Sequence, residues 1–158
     1  ESYRLRHPEA PLVTYFEAEV LLAQGYTRAS IIRLVEVLRE HPDAPALIWH
    51  QLGRAYLAQG AYEEARVVLE VAASRFSAGD ETAAYAEAAF LDRLNLNLAK
   101  AYLGSGACAN AEAVFRRLQG SERSIDLSPW IERSVRCQTP TPTLTPWIPP
   151  QTPWIGDR

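Results

Sequence analysis

The chain reads as an all-α protein built from consecutive antiparallel helix pairs, with an extended Pro-rich tail at its C-terminal end. Three observations carry this expectation. His7-Pro8-Glu9-Ala10-Pro11 recurs 34 residues later as His41-Pro42-Asp43-Ala44-Pro45. Leu21-Leu22-Ala23-Gln24-Gly25 is echoed by Tyr56-Leu57-Ala58-Gln59-Gly60 and again by Tyr102-Leu103-Gly104-Ser105-Gly106. Between these markers, apolar residues return at helical rather than strand spacing. A Gly after an apolar-periodic stretch can end a helix in the left-handed conformation. A Pro stops one helix or opens the next. The repeating unit is therefore helix, tight turn, helix, longer turn.

Taken in order, Ser2 to His7 parallels Leu38 to His41, so residues 1–10 read as the end of a preceding helix or repeat. The chain also starts at Glu1 without an initiating Met, which fits a piece cut from a longer array. Residues 11–137 form the repeat domain. Its units fall at about 11–44, 45–79 and 80–120. The marker glycines are 35 and then 46 residues apart, so the third unit carries an insertion. Asp80 suits the N-cap of a helix that runs from Glu81 to Tyr102 without Gly or Pro. Its early turns hold Ala83, Ala84, Tyr85, Ala86, Ala88, Ala89 and Phe90. These read as a ridge packed on the neighbouring unit, in preference to a projecting contact surface. Ser128 and Pro129 suit the cap and first position of a last helix over 129–137, with Ile131 and Val135 on one face. That helix would cover the exposed end of the stack.

Residues 138–158 are different. Thr-Pro-Trp-Ile occurs at 145–148 and again at 152–155, and Ser128-Pro129-Trp130-Ile131 is a near copy. Prolines forbid a helix there and favour polyproline II. A plain linker would not carry Trp147, Ile148, Trp154 and Ile155. These four are expected to anchor the tail, on the chain's own apolar face or on a second copy. The second case would give a homo-oligomer. A linker toward a further domain is the competing reading.

Composition limits the function. An apolar fraction of 47% is that of a folded soluble domain. A formal net charge of −3 argues against nucleic acid as the partner. No apolar run is long enough to span a bilayer, so no direct membrane insertion is expected. His7, His41 and His50 are scattered, and no metal-ligand spacing or cofactor fingerprint is present. Cys108 is expected to be a small buried apolar residue and Cys137 to end the last helix, with a disulfide between them the less favoured alternative. No nucleophile elbow or phosphate loop occurs, because Gly104-Ser105-Gly106 lacks a following Gly-Lys. Glu63-Glu64 opens a helix, where negative charge suits the dipole. The expectation is a non-enzymatic chain without cofactor. Its compartment stays open, with the cytoplasm favoured.

Trp49-x-x-Leu52-Gly53-x-x-Tyr56, followed by Gly60, Tyr62, Ala65, Leu69 and Ala72, resembles a tetratricopeptide repeat. Leu98, Ala99, Tyr102, Gly106, Ala111 and Phe115 carry the likeness in the third unit. Ala18, Leu21, Gly25 and Leu34 carry it in the first, although Thr14 and Glu17 stand where that family has Trp and Leu. The likeness covers about residues 11–119. Asn97-Leu98-Ala99-x-Ala101-Tyr102 is similar to the kinesin-light-chain type, whose first helices are long. The physical reading agrees with the likeness. Gly53 and Ala65 are small enough for two helices to approach, and Trp49, Leu52, Tyr56, Leu69 and Ala72 fill the seam.

The resemblance implies a right-handed solenoid whose first helices line a concave groove for a protein or peptide partner. Counted from each turn Gly, the groove positions are Tyr15, Glu19 and Leu22, then His50, Arg54 and Leu57, then Arg93, Leu96, Asn97 and Lys100. For any single one of them, an ordinary solvated helix face is the competing explanation. Members of this family that clamp acidic chaperone tails use basic and amide residues at positions matching Tyr15, Glu19, Gln51, Arg93 and Asn97. Glu19 would repel a carboxylate, so that subtype is not expected. The leading expectation is an interaction scaffold. The alternative is an accessory domain of a larger enzyme or membrane-anchored protein.

Overall fold

The computed structural model describes residues 10–77, 88–120 and 126–139. Among them are seven helices and no strand: α1 (Ala10–Ala23), α2 (Thr27–Glu40), α3 (Ala46–Gln59), α4 (Tyr62–Ser77), α5 (Ala88–Gly104), α6 (Cys108–Gly120) and α7 (Ser128–Gln138). Each helix packs on the next in chain order, and α3 also touches α1 and α5. The first helices of the three pairs thus form one contiguous layer.

The pairs α1–α2, α3–α4 and α5–α6 close through the same turn. Gly25, Gly60 and Gly106 have φ of 82°, 77° and 83°, a region that costs a side-chain-bearing residue. In each turn the Gly N–H reaches the carbonyl three residues back and the following N–H reaches five back. Tyr26 N to Leu21 O is 2.8 Å, Ala61 N to Tyr56 O is 3.0 Å, and Ala107 N to Tyr102 O is 2.8 Å. This double closure satisfies carbonyls that a helix end leaves open.

Three clusters of buried side chains run along the stack. Leu34, Ile48 and Leu52 lie in the first, Leu69, Leu94 and Phe90 in the second, and Phe115, Leu103 and Leu127 in the third. Trp49 and Tyr56 border the first two and Tyr102 borders the last two, so the clusters form a continuous core. Gly53 is buried against Leu69 and leaves no room for a methyl group. Ser30 is fully buried and donates to the Ala18 carbonyl at 3.0 Å, joining α2 to α1.

The C-terminal helix departs from expectation in three ways. First, α7 starts at Ser128 itself, with Leu127 at the N-cap position. The Asp126 carboxylate accepts the Ser128 N–H at 2.9 Å, so Asp126 supplies the cap that Ser128 was expected to give. Second, Ile131 packs on the third cluster but Val135 is exposed; the residue buried beside Ile131 is Ser134, whose hydroxyl donates to the Trp130 carbonyl at 2.8 Å. A hydroxyl satisfied by its own helix can be buried without loss. Third, Cys108 and Cys137 form a disulfide, with Cα atoms 5.8 Å apart. That separation lies in the ordinary disulfide range. Cys108 is buried as expected, but as one half of a covalent tie between α6 and α7.

The Asp80 cap, the helix start at Glu81 and Ala83 to Ala86 lie outside the described residues, as do residues 1–9 and the tail anchors Trp147, Ile148, Trp154 and Ile155. Phe90 lies in the packed interior, 5.8 Å from the Phe76 ring.

Candidate binding cleft

Two adjoining cavities open on the layer formed by α1, α3 and α5. Their volumes are about 560 and 350 Å³. The larger is lined by Leu22, Arg54, Leu57, Asn97 and Lys100, the smaller by Tyr15, Glu19, His50, Arg54, Arg93, Leu96 and Asn97. Every groove position counted from the turn glycines therefore faces one cavity or the other, and Arg54 and Asn97 face both. The reason is geometric. Residues three and four apart share a helix face, and an identical turn sets each first helix at the same rotation.

Counting from the turns missed the residues that other elements contribute. Tyr62 of α4, and Trp130 and Arg133 of α7, complete the larger cavity. The smaller is completed from the first helices themselves, by Leu47 of α3 and Phe90 of α5, each three residues before a counted position. Leu103 extends the α5 series by one more step of three from Lys100, a continuation the spacing could have given. The position of α7 depends on its packing against α6, which no spacing encodes. Trp130 stacks on Phe115 with ring centroids 5.7 Å apart.

Polar groups tie the three first helices together. Arg54 Nη1 donates to Glu19 Oε2 at 2.8 Å and to Gln51 Oε1 at 2.8 Å. Arg54 and Glu19 are both more than a third exposed, so solvent screens the pair and its net stabilisation is small. Gln51 is buried beneath this contact. Asn97 Nδ2 donates to His50 Nε2 at 2.9 Å, joining α5 to α3 with His50 as the Nδ1–H tautomer. His50 also meets the Phe90 ring edge-on, centroids 5.2 Å apart. Burial, with the Arg54 and Arg93 charges added, lowers the His50 pKa to about 3. The ring is neutral at physiological pH. Burial, followed by the Glu19 charge, raises the Tyr15 phenol above its ordinary value, so it stays protonated.

At the α7 end, Lys100 Nζ sits 5.4 Å from the centre of the Trp130 ring, a cation–π arrangement. Arg133 is exposed there. Among the described residues, no group of three His, Cys, Asp or Glu side chains could hold a metal ion. None of the described helices is long and apolar enough to cross a membrane. Comparison of the sequence with protein-family profiles gives no match, and comparison with curated proteins gives none either.

Proposed function

We propose that this chain is a tetratricopeptide-type interaction module that holds an extended segment of a partner protein along the cleft. One observation carries the reading. Ten positions, expected from the resemblance and counted from the turn glycines, converge on two cavities that meet at Arg54 and Asn97. The chemistry suits a peptide. Leu22, Leu57, Leu96 and Tyr15 offer apolar surface, while Arg54, Asn97 and Lys100 offer hydrogen bonds that fix a register.

A scaffold also fits the state of the titratable groups. Among the described residues, the lining contains no Ser, Thr or Cys nucleophile. A histidine with a pKa near 3 is a poor general base at neutral pH. Glu19 is held by Arg54, and Gln51 is buried, so the clamp for acidic chaperone tails is not the binding mode we assign.

Selection of binders from a random-peptide library, with their footprint mapped by NMR shift perturbation, tests the proposal. The selected peptides should perturb α1, α3 and α5, and Arg54→Glu with Lys100→Glu should weaken them at least tenfold. Binders that map to α2, α4 and α6, or that ignore the double substitution, would refute it.

A further inference from the structure

The two cavities differ in charge. The smaller sets Glu19 against Arg54 and Arg93. The larger is lined by Arg54, Lys100 and Arg133, and among the described residues by no Asp or Glu. This happens in a chain whose formal net charge is −3. Cations gathered in one concavity of an acidic protein focus a positive potential there. Neither Lys100 nor Arg133 has a carboxylate partner among the described residues, whereas Arg66, Arg116 and Arg136 elsewhere on the surface pair with glutamates on their own helices. Lys100 rests over the Trp130 ring instead, which holds its charge at the cavity wall. The same cavity is also lined by Leu22, Leu57, Leu103 and Trp130.

We infer that the α7 end of the cleft is a site for an acidic peptide, with carboxylates meeting Lys100 and Arg133 and an interleaved apolar side chain set against Leu57 and Trp130. This deepens the scaffold reading and rests on it. The polarity of the cleft also sets the direction of the occupant. Its acidic part lies toward α7, away from Glu19. Arg54 is shared with Glu19, so within the larger cavity Lys100 and Arg133 are the two cations free to neutralise an incoming carboxylate.

The test compares two fluorescein-labelled hexapeptides, one alternating Glu and Leu and one alternating Lys and Leu, by fluorescence anisotropy at low ionic strength. The acidic peptide should bind at least tenfold more tightly and lose affinity as salt is added. Lys100→Glu with Arg133→Glu should reverse the preference, and the milder Lys100→Gln with Arg133→Gln should abolish it. Arg116→Glu, on the exposed face of α6, should leave it unchanged. Equal binding of the two peptides, or acidic-peptide binding indifferent to both double variants, would overturn the inference. So would dimerisation of the free protein that the charge reversal abolishes, because a second copy would then occupy the cleft. If library-selected peptides map to the cleft without acidic bias, this inference fails and the scaffold reading stands. If no peptide of any charge maps there, both fail.

Discussion

Gly53 sets the closest approach in the middle pair, and replacing it with Ala tests the packing directly. A methyl group built there falls closer than 3.0 Å to Leu69 Cγ and Cδ2 and 3.2 Å from Cδ1. Carbon atoms in good contact sit about 3.5–4.0 Å apart. One side chain must therefore move by more than about half an ångström, and Leu69, fully buried, has nowhere to go. Overpacking of this kind costs about 1–3 kcal/mol. Against it stands the gain of about 1 kcal/mol when Ala replaces Gly inside a helix. The expected net result is a loss of up to about 2 kcal/mol, read as a lower urea midpoint at unchanged slope by circular dichroism. The background sharpens the sign. Leu69→Ala alone should cost about 2–5 kcal/mol by opening a cavity. Gly53→Ala added to it should stabilise, because the methyl then fills space. If Gly53→Ala stabilises the wild-type background, the tight seam between α3 and α4 is wrong.

Two further outcomes follow from the structure. The folded-state pKa of His50, about 3, lies below the ordinary 6.5. The unfolded chain then binds the extra proton, so this stability is complete above pH 6.5 and is lost as pH falls toward 3. Between pH 6.5 and 4.5 the slope should approach about 1.4 kcal/mol per unit. His50→Gln should flatten that interval, and an unaltered slope would contradict a neutral buried ring. The lowered carboxylates Glu63, Glu112 and Asp126 act only further into acid. The Cys108–Cys137 bond closes a loop with a sequence separation of 29, for which chain entropy gives about 3.6 kcal/mol. Reduction, or Cys108→Ser with Cys137→Ser, should lower the urea midpoint and raise hydrogen exchange in α7 while sparing α2 and α3. Unchanged exchange in α7 would show that the tie does not hold that helix. Disulfides persist mainly in oxidising compartments, so the bond weighs against the cytoplasmic expectation.

What was legible in the sequence was what a local rule controls. Each turn Gly announced its own left-handed residue, and helical spacing counted back from it gave the faces that carry Tyr15, Arg54 and Asn97. The seam at Gly53, Ala65 and Leu69 was readable because small and large residues alternate across it. What depends on one helix rolling against another was not legible. The disulfide requires α7 to lie on α6 at one rotation, and nothing within 128–138 fixes that rotation. The same rotation buries Ser134 and exposes Val135, against the simple apolar pattern. Trp130 was noticed as part of a repeated tetrapeptide, but its place in the cleft comes from stacking on Phe115. The Asp126 cap was hidden because Ser128-Pro129 is itself a good start signal, and the competing carboxylate two residues earlier was the stronger acceptor.

The shared turn has a consequence for how such a chain can diversify. Gly25, Gly60 and Gly106 fasten their pairs with the same two backbone hydrogen bonds, and a side chain built at any of the three meets no neighbour. These turns are standard fasteners and could be exchanged among the units with little effect. The joints between helices are individually cut: Ser30 reaching Ala18, Leu69 filling the notch at Gly53, a covalent tie at Cys108. Grafting a turn should leave the stack intact, whereas grafting a helix should fail unless its neighbour travels with it. The smallest interchangeable part is then a joint, shared by two units, rather than the repeat that the sequence displays.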